Sequence, residues 1–207
     1  MAAPRRPARS RAAPAAAPAV PPARQQAILA AAALVFARYG FKKTSMDDLA
    51  RAVGLSRQGL YLHFPTKEAL FKAAMLGVEA TMRAAGRAAL ADEAAPIEDR
   101  LLAMFEAVEG QIVGQIAVEH MTELLETATA LLGPVLVERT EAIVAEVARA
   151  LRAAGVMARW KDGTTAKDLA EHLCATSYGI KHRVATREEY RARMRLAIRL
   201  ACATPGS

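Results

Sequence analysis

The residues best suited to chemistry lie directly after Ser56. Arg57 can donate hydrogen bonds to guanine or to a phosphate, and the amide of Gln58 can pair with adenine. Gly59 lacks a side chain, which allows a close approach of its backbone to a ligand. Donors of this kind in the first turn of a short helix are typical of contacts with DNA bases. An exposed arginine directly after a helix cap has no expected packing role, which favours a functional role for Arg57.

Groups suited to phosphates surround this stretch. Thr44 and Ser45 stand at a predicted helix N-terminus, where hydroxyls and free amides favour an anion. Tyr61 and His63 could reach backbone oxygens of DNA, and Lys67 could close the far side. Packing is the alternative role for the ring of Tyr61, and bracing the helix end is the alternative for His63. The predicted DNA-binding residues are therefore Thr44, Ser45, Ser56, Arg57, Gln58, Gly59, Tyr61, His63 and Lys67.

Three short elements must position these side chains. The pattern of apolar residues predicts a helix from Gln25 to Tyr39, which Gly40 ends. A second helix is predicted over about residues 46–53, and a third runs from a Ser56 cap to about residue 63, before a proline. Two short helices joined by a glycine-containing turn form the helix-turn-helix arrangement, in which the second helix enters a DNA groove.

A series of short motifs spans residues 28–67. In order, they are Ile28-Leu29, Ala31-Ala32, Phe36-Ala37, Gly40-Phe41, Thr44-Ser45-Met46, Asp48-Leu49-Ala50, Val53-Gly54-Leu55-Ser56, Leu60-Tyr61-Leu62-His63-Phe64 and Lys67-Glu68-Ala69-Leu70. In their order and spacing these motifs resemble the tetracycline-repressor (TetR) family, although the family often has glycine at the position of Gln58 rather than at that of Gly59. The resemblance implies an all-α chain, with a three-helix DNA-binding domain followed by a larger helical domain that binds a ligand and dimerises. It also implies a transcriptional regulator, more commonly a repressor than an activator.

Composition and charge agree with this organisation. The chain is 53% hydrophobic with only 5% aromatic residues, and much of it is Ala and Leu, which favours helix throughout. The net charge is +7, yet the 135 residues after position 72 hold sixteen basic and eighteen acidic side chains. The excess of basic over acidic residues is therefore confined to the N-terminal third, which suits a polyanionic partner at that end.

The chain divides into three predicted regions. Residues 1–23 are mostly Ala, Pro and Arg, and are expected to be a disordered tail, either merely solvated or adding non-specific attraction to phosphates. Residues 24–72 form the predicted DNA-binding domain, and residues 73–207 the ligand-binding and dimerisation domain. The apolar run over residues 27–37 is too short to span a bilayer. No signal peptide and no membrane partner are expected, and the predicted location is cytoplasmic.

The ligand-binding and dimerisation domain is predicted to consist of longer helices. Thr66 caps one that reaches about residue 91, and Gly133-Pro134 is expected to separate a helix over about residues 116–131 from another over about 135–154. Capping boxes at Thr165 and Thr186 open the last two helices. Small residues on these two helices would permit close packing across a two-fold axis, although packing within one chain is the alternative.

A small-molecule effector of unknown identity would bind between these helices. Met and aromatic residues adapt to apolar ligands and a few polar groups orient them, although plain core packing is the alternative for each residue. The predicted ligand-binding residues are Phe105, Val108, His120, Met121, Leu124, Trp160, His172 and Tyr178. No metal and no cofactor are expected, since the histidines lack a metal-ligand spacing within one helix.

Regulation would follow from the geometry of a homodimer. Two recognition helices must lie about 34 Å apart to enter successive major grooves of a near-palindromic operator. A ligand that favours a different spacing lowers the affinity for DNA, and the helix that begins near Lys67 touches both regions. Two other classes stay open: an all-helical enzyme and a helical protein-interaction module. The enzyme is disfavoured because no nucleophile-base-acid set, paired carboxylates or phosphate loop occurs in the sequence.

Overall fold

The computed structural model describes residues 22–115, 118–160 and 162–203. Throughout these residues the chain is helical and contains no strand, so the predicted all-α fold is confirmed. Short 3₁₀ turns follow α5 and α6, at Gly110–Ile112 and Val156–Arg159. The helices are α1 Pro22–Tyr39, α2 Met46–Ala52, α3 Arg57–His63, α4 Lys67–Ala91, α5 Ile97–Val108, α6 Val118–Ala153, α7 Ala166–Lys181 and α8 Arg187–Cys202.

The first hydrophobic core joins α1, α2, α3 and the start of α4. Phe36 and Phe71 are fully buried, and their ring centroids lie 5.1 Å apart in an edge-to-face arrangement. Leu49 from α2 and Leu60 from α3 are also fully buried in this core. Their burial fixes the crossing of the two short helices, which individually are too short to be stable in water.

The second core joins α5, α6, α7 and α8 to the far end of α4. Phe105, Leu173, Tyr190 and Met194 are buried there. The domain boundary predicted after residue 72 falls inside α4, and this single helix contributes to both cores, with Leu70 in the first and Leu90 in the second. A movement of α4 therefore acts on both regions.

The predicted helix break at Gly133-Pro134 is wrong. Pro134 lies inside α6, which is continuous from Val118 to Ala153. A proline inside a helix costs about 3 kcal/mol. Leu132 before it and Ile143 and Val144 after it are buried, and each such side chain contributes about 1.5–3 kcal/mol when fully buried. Packing on both sides of the proline therefore outweighs the local signal.

The other helix boundaries differ from prediction by smaller amounts. The first helix begins at Pro22 rather than at Gln25, in keeping with the preference of proline for the first helical turn. The capping box at Thr165 is complete, as predicted. At Thr186 only half of the predicted box forms, because Glu189 accepts its hydrogen bond from the backbone of Ala185 instead.

The helices α4 and α5 lie close together at Gly86. A Cβ built there would lie 2.8 Å from Cγ2 of Val108, a branched side chain with little freedom to move. We expect Gly86→Ala to lower the free energy of unfolding by about 1–2 kcal/mol, although alanine favours helix, because overpacking costs about 1–3 kcal/mol. Urea denaturation measures this. In a Val108→Ala background the same change should be neutral or stabilising; an equal cost in both backgrounds would contradict the contact.

The two cysteines are free, Cys202 buried and Cys174 half-buried. Burial raises the pKa of the Cys174 thiol to about 12 and that of Cys202 to about 11. Since the thiolate is the reactive form, we expect iodoacetamide at pH 8 to label the native chain at least about 100-fold more slowly than the urea-unfolded chain. Comparable rates for the two states would show that the thiols are not buried.

Candidate nucleic-acid interface

Side-chain caps define the N-termini of α2, α3 and α4. Of the two residues expected at the start of α2, Thr44 and Ser45, it is Ser45 that caps the helix, and it forms a complete capping box with Asp48. Hydrogen bonds from Ser45 lower the pKa of the Asp48 carboxyl. Oγ of Ser56 accepts from the backbone N–H of Gly59 at 3.0 Å and so starts α3. Thr66 caps α4 by accepting from the backbone N–H of Ala69 at 3.0 Å. These caps fix where each short helix begins.

A surface cleft of about 520 Å³ lies between α2, α3 and the start of α4. We call it the α2–α3 cleft. It brings together five residues predicted to bind DNA with residues that the sequence analysis did not select, Asp47 among them. Among its lining residues are Thr44, Ser45, Asp47, Arg57, Tyr61 and Lys67.

Arg57 is exposed, as predicted. Contrary to the sequence analysis, which expected no packing role for it, its side chain contacts other residues of the protein. Its Nη1 atom lies 3.0 Å from Oδ2 of Asp47, and its guanidinium lies 5.7 Å from the centroid of the Tyr61 ring. The partner of Arg57 comes from α2, ten residues earlier in the sequence. The arginine side chain is therefore oriented before any DNA arrives.

Two predicted phosphate contacts have structural partners within the protein. Thr44 is buried, and its hydroxyl donates to the backbone oxygen of Gly40 at 2.6 Å. The ammonium of Lys67 donates to the backbone oxygens of Phe41 and Thr44 at 2.9 and 3.0 Å, and lies 4.3 Å from the centroid of the Phe41 ring. These bonds tie the loop before α2 to the first turn of α4. A contact of either side chain with phosphate stays a prediction.

We expect Lys67→Met to lower the free energy of unfolding by about 1.5–3 kcal/mol, the usual contribution of hydrogen bonds to a charged group. Affinity for duplex DNA should fall without a change in its salt dependence, because the mutation loosens the loop rather than removing a phosphate contact. Lys43→Met is the matched control, since Lys43 is an exposed lysine in the loop before α2. A decrease in the salt slope of about 0.9 for each lysine removed by Lys67→Met would instead support the phosphate contact.

The remaining predicted DNA-binding residues occupy the two ends of α3. Gln58 is exposed beside Arg57, whereas His63 is half-buried in the last turn. Gly59 has a local reason to be glycine, because a Cβ there would lie 3.1 Å from Oγ of Ser56. Leu62 lies on the same short helix, and its apolar side chain is 64% exposed. The sequence analysis did not include it among the predicted DNA-binding residues.

The eight predicted ligand-binding residues do not share one cavity. Phe105, Val108 and Tyr178 line a cavity of about 470 Å³ between α5, α6 and α7, which we call the body cavity. Tyr178 and Leu124 line a second cavity of about 570 Å³, the junction cavity. Phe36, Phe71, Met75, Val113, Lys181 and His182 also line the junction cavity.

The other predicted ligand residues lie elsewhere. The indole N–H of Trp160 donates to the backbone oxygen of Ala201 at 3.3 Å, so the ring packs against the body core. His172 is exposed on α7, and the side chain of Met121 lies outside the described residues. His120 is buried next to the loop before α2, because a Cβ on Gly40 would lie 3.1 Å from its Nδ1 atom.

His120 belongs to a contact between the start of α6 and the DNA-binding domain. Glu123, one turn later, accepts a hydrogen bond from the backbone N–H of Lys42. We call this contact the α6 clamp, formed by His120 and Glu123 on the loop 40–42. The sequence analysis missed Glu123, since no local signal links it to a loop 81 residues away.

Among the described residues 22–115, 118–160 and 162–203, none of the helices has an apolar stretch sufficient to span a bilayer. The same part of the chain contains no group of three or more His, Cys, Asp or Glu placed to hold a metal ion.

Comparisons with known proteins concentrate on the first domain. The family model "Bacterial regulatory proteins, tetR family" matches residues 28–74. The HTH-type transcriptional regulator YfiR of Bacillus subtilis is 47% identical over 49 residues, which make up 24% of this chain and 24% of YfiR. The chain thus matches about a quarter of the length of such curated relatives.

Solved structures extend the likeness to most of the chain. A TetR-family transcriptional regulator from Rhodococcus sp. is 26% identical, with a TM-score of 0.69 over 87% of this chain and 100% of that one. AibR, solved in complex with isovaleryl coenzyme A and operator DNA, is 22% identical, with a TM-score of 0.55 over 83% of this chain and 96% of that one. The first domain therefore matches the model of the tetR family of bacterial regulatory proteins, and the overall fold is similar to that of a TetR-family regulator.

Proposed function

We propose that this protein is a homodimeric, sequence-specific DNA-binding repressor, released from a near-palindromic operator by a small molecule. The observation that carries the proposal is the exposed first turn of α3. Arg57 and Gln58 face solvent there, beside a cleft lined by the caps of α2 and α4. This is the turn of a recognition helix that reaches base edges.

Dimerisation is supported by apolar side chains on the last two helices. Leu196 and Leu200 on α8 are 50% and 65% exposed, and Tyr178 on α7 is 50% exposed. Leucines this exposed on neighbouring turns of one helix favour burial against a second copy. A two-fold axis through α7 and α8 would then present two copies of α3 to successive major grooves.

The junction cavity is the better candidate for the effector site. Its lining combines Phe36 and Phe71 from the core of the DNA-binding domain with Val113 and Tyr178 from the body. A ligand in this cavity would contact both the DNA-binding domain and the body. A movement of one relative to the other would therefore change the contacts of the ligand, and ligand binding can be coupled to DNA binding only through such a difference. The body cavity, which contacts only α5, α6 and α7, is the second candidate. AibR has a similar fold and was solved with both a coenzyme A ester and operator DNA.

Fluorescence anisotropy with random duplexes at several salt concentrations tests the DNA-binding part. Neutralised phosphates make the logarithm of affinity fall steeply with the logarithm of salt concentration. Rounds of selection from a random pool should then yield duplexes with two half-sites about one helical turn apart. A protein with no salt-dependent binding to any duplex would favour an enzyme or an interaction module.

Reciprocal coupling tests the effector. A compound that raises the melting temperature should weaken operator binding, and the operator should weaken binding of the compound by the same factor, typically 5- to 150-fold. Substituting Ala128→Phe, whose site lines the junction cavity, should remove the effect of the compound while preserving operator binding. An unchanged response of this variant would place the effector in the body cavity.

A further inference from the structure

Asp47 is the one acidic side chain among the described residues that line the α2–α3 cleft. An acid on a surface that meets phosphates opposes binding, because like charges repel. The neighbouring Asp48 has a local role, since it completes the capping box of α2. The ion pair of Asp47 is instead with Arg57 on the other helix.

The pair leaves one edge of the guanidinium available. Asp47 holds Nη1, whereas the hydrogens on Nε and Nη2 lie along the opposite edge of the planar group. The Arg57 side chain is 62% exposed, so this edge can reach a partner outside the protein. Tyr61, on the next turn of α3, lies beside the guanidinium and restricts its rotation. The geometry therefore presents two parallel donors in one direction.

Guanine and phosphate differ as partners for these donors. The carboxylate of Asp47 partly neutralises the arginine and repels phosphate oxygens, which weakens a phosphate contact. The guanine edge is uncharged and offers two acceptors, O6 and N7, at a spacing that matches the fork of an arginine. Asp47 therefore favours a contact of Arg57 with guanine over a contact with phosphate.

We propose that Asp47 is a positioning residue that determines specificity, by holding Arg57 to read a guanine in each half of the operator. This inference rests on the proposed function and adds to it the role of Asp47 and the base that Arg57 reads. Asp47 itself contacts Arg57 rather than DNA, so its removal acts through the arginine.

The test begins with duplexes selected by the full-length wild-type protein. Affinities are then measured for the selected duplex, for copies with each guanine replaced by adenine, and for a random duplex, at several salt concentrations. We expect Arg57→Ala to remove a 5- to 150-fold preference for one guanine while leaving the salt slope unchanged. Asp47→Ala and Asp47→Asn should each reduce that preference at least about fivefold and strengthen binding to random duplex.

Glu68→Gln is the matched control, because it removes one exposed negative charge from the same domain. It should strengthen binding to every duplex alike and keep the guanine preference. Melting curves followed by circular dichroism show that each variant is folded, and the neutral Asp47→Asn keeps the size of the side chain. If Asp47 had only a structural role, its variants would lose affinity for all duplexes equally, which distinguishes that role from the proposed one.

Several outcomes would overturn the inference while leaving the proposed function intact. One is a decrease of about 0.9 in the salt slope per arginine for Arg57→Ala with no change in base preference, as expected for a phosphate contact. Another is an undiminished guanine preference in both Asp47 variants. Absence of salt-dependent binding by the wild-type protein would instead reject the proposed function itself.

Discussion

Replacing Gly40 with alanine is expected to lower the free energy of unfolding by about 2–4 kcal/mol and to weaken binding to duplex DNA at least about tenfold. Gly40 has a φ of +77°, a left-handed conformation that costs other residues about 1–2 kcal/mol. A Cβ there would also lie 3.0 Å from Oε2 of Glu123 and 3.1 Å from Nδ1 of His120. Relieving that contact costs a further 1–2 kcal/mol or so, in the range of overpacking.

The loss of DNA binding follows from the position of Gly40 in the α6 clamp. The loop 40–42 leads directly to Thr44 and Ser45, and the backbone oxygen of Gly40 accepts the Thr44 hydroxyl. A loop displaced from α6 therefore displaces the start of α2 and, with it, the support of α3. Urea denaturation measures the stability, and anisotropy with a selected duplex measures the affinity.

Gly155 provides the matched control for this prediction. Its φ is +69°, yet a Cβ there would meet nothing within 4 Å. Gly155→Ala should therefore show the backbone cost of about 1–2 kcal/mol alone, and it should leave DNA binding unchanged. Equal effects of the two substitutions on stability and binding would mean that the α6 clamp contributes nothing.

Tyr190→Ala is expected to lower the free energy of unfolding by about 3–5 kcal/mol, the range for truncating a buried aromatic side chain. Tyr190 is fully buried, and its hydroxyl lies 2.6 Å from Oγ of Ser177 and donates to the backbone oxygen of Phe105 at 3.2 Å. It thus joins α5, α7 and α8 at a single point. Tyr190→Phe should cost only about 1 kcal/mol, since it removes the hydrogen bonds but keeps the ring.

The same tyrosine predicts a dependence of stability on alkaline pH. Burial raises the pKa of Tyr190 above its ordinary value of 10.0. Above pH 10 the unfolded chain ionises this group while the folded chain does not, so the stabilisation present below pH 10 decreases as the pH rises. Urea denaturation between pH 9 and 11 should show a smaller decrease for Tyr190→Phe than for the wild type.

Tyr39→Ala serves as the control for truncation of a tyrosine. Tyr39 is 49% exposed at the end of α1, so its loss should cost less than about 1 kcal/mol. If Tyr190→Ala cost no more than Tyr39→Ala, the packing of α8 onto α5 and α7 would not depend on this side chain.

The sequence by itself determined the helix-turn-helix region. The caps at Ser56 and Thr66 were predicted at the positions where the structure places them, and Ser45 is one of the two residues expected at the start of α2. The resemblance of this region to the TetR family is confirmed over residues 28–74. Such features are local, because a cap joins a side chain to a backbone N–H only three residues away. A glycine or proline likewise acts on its own turn of the backbone.

Only the tertiary structure decided how distant side chains meet. The continuity of α6 through Pro134, the Asp47 partner of Arg57 and the separation of the predicted ligand residues into different cavities were not evident from local patterns. The hydrogen bond from Lys42 to Glu123 spans 81 residues. Which residues become neighbours over such distances depends on the packing of whole helices against two cores, and that packing can outweigh a local signal of a few kcal/mol.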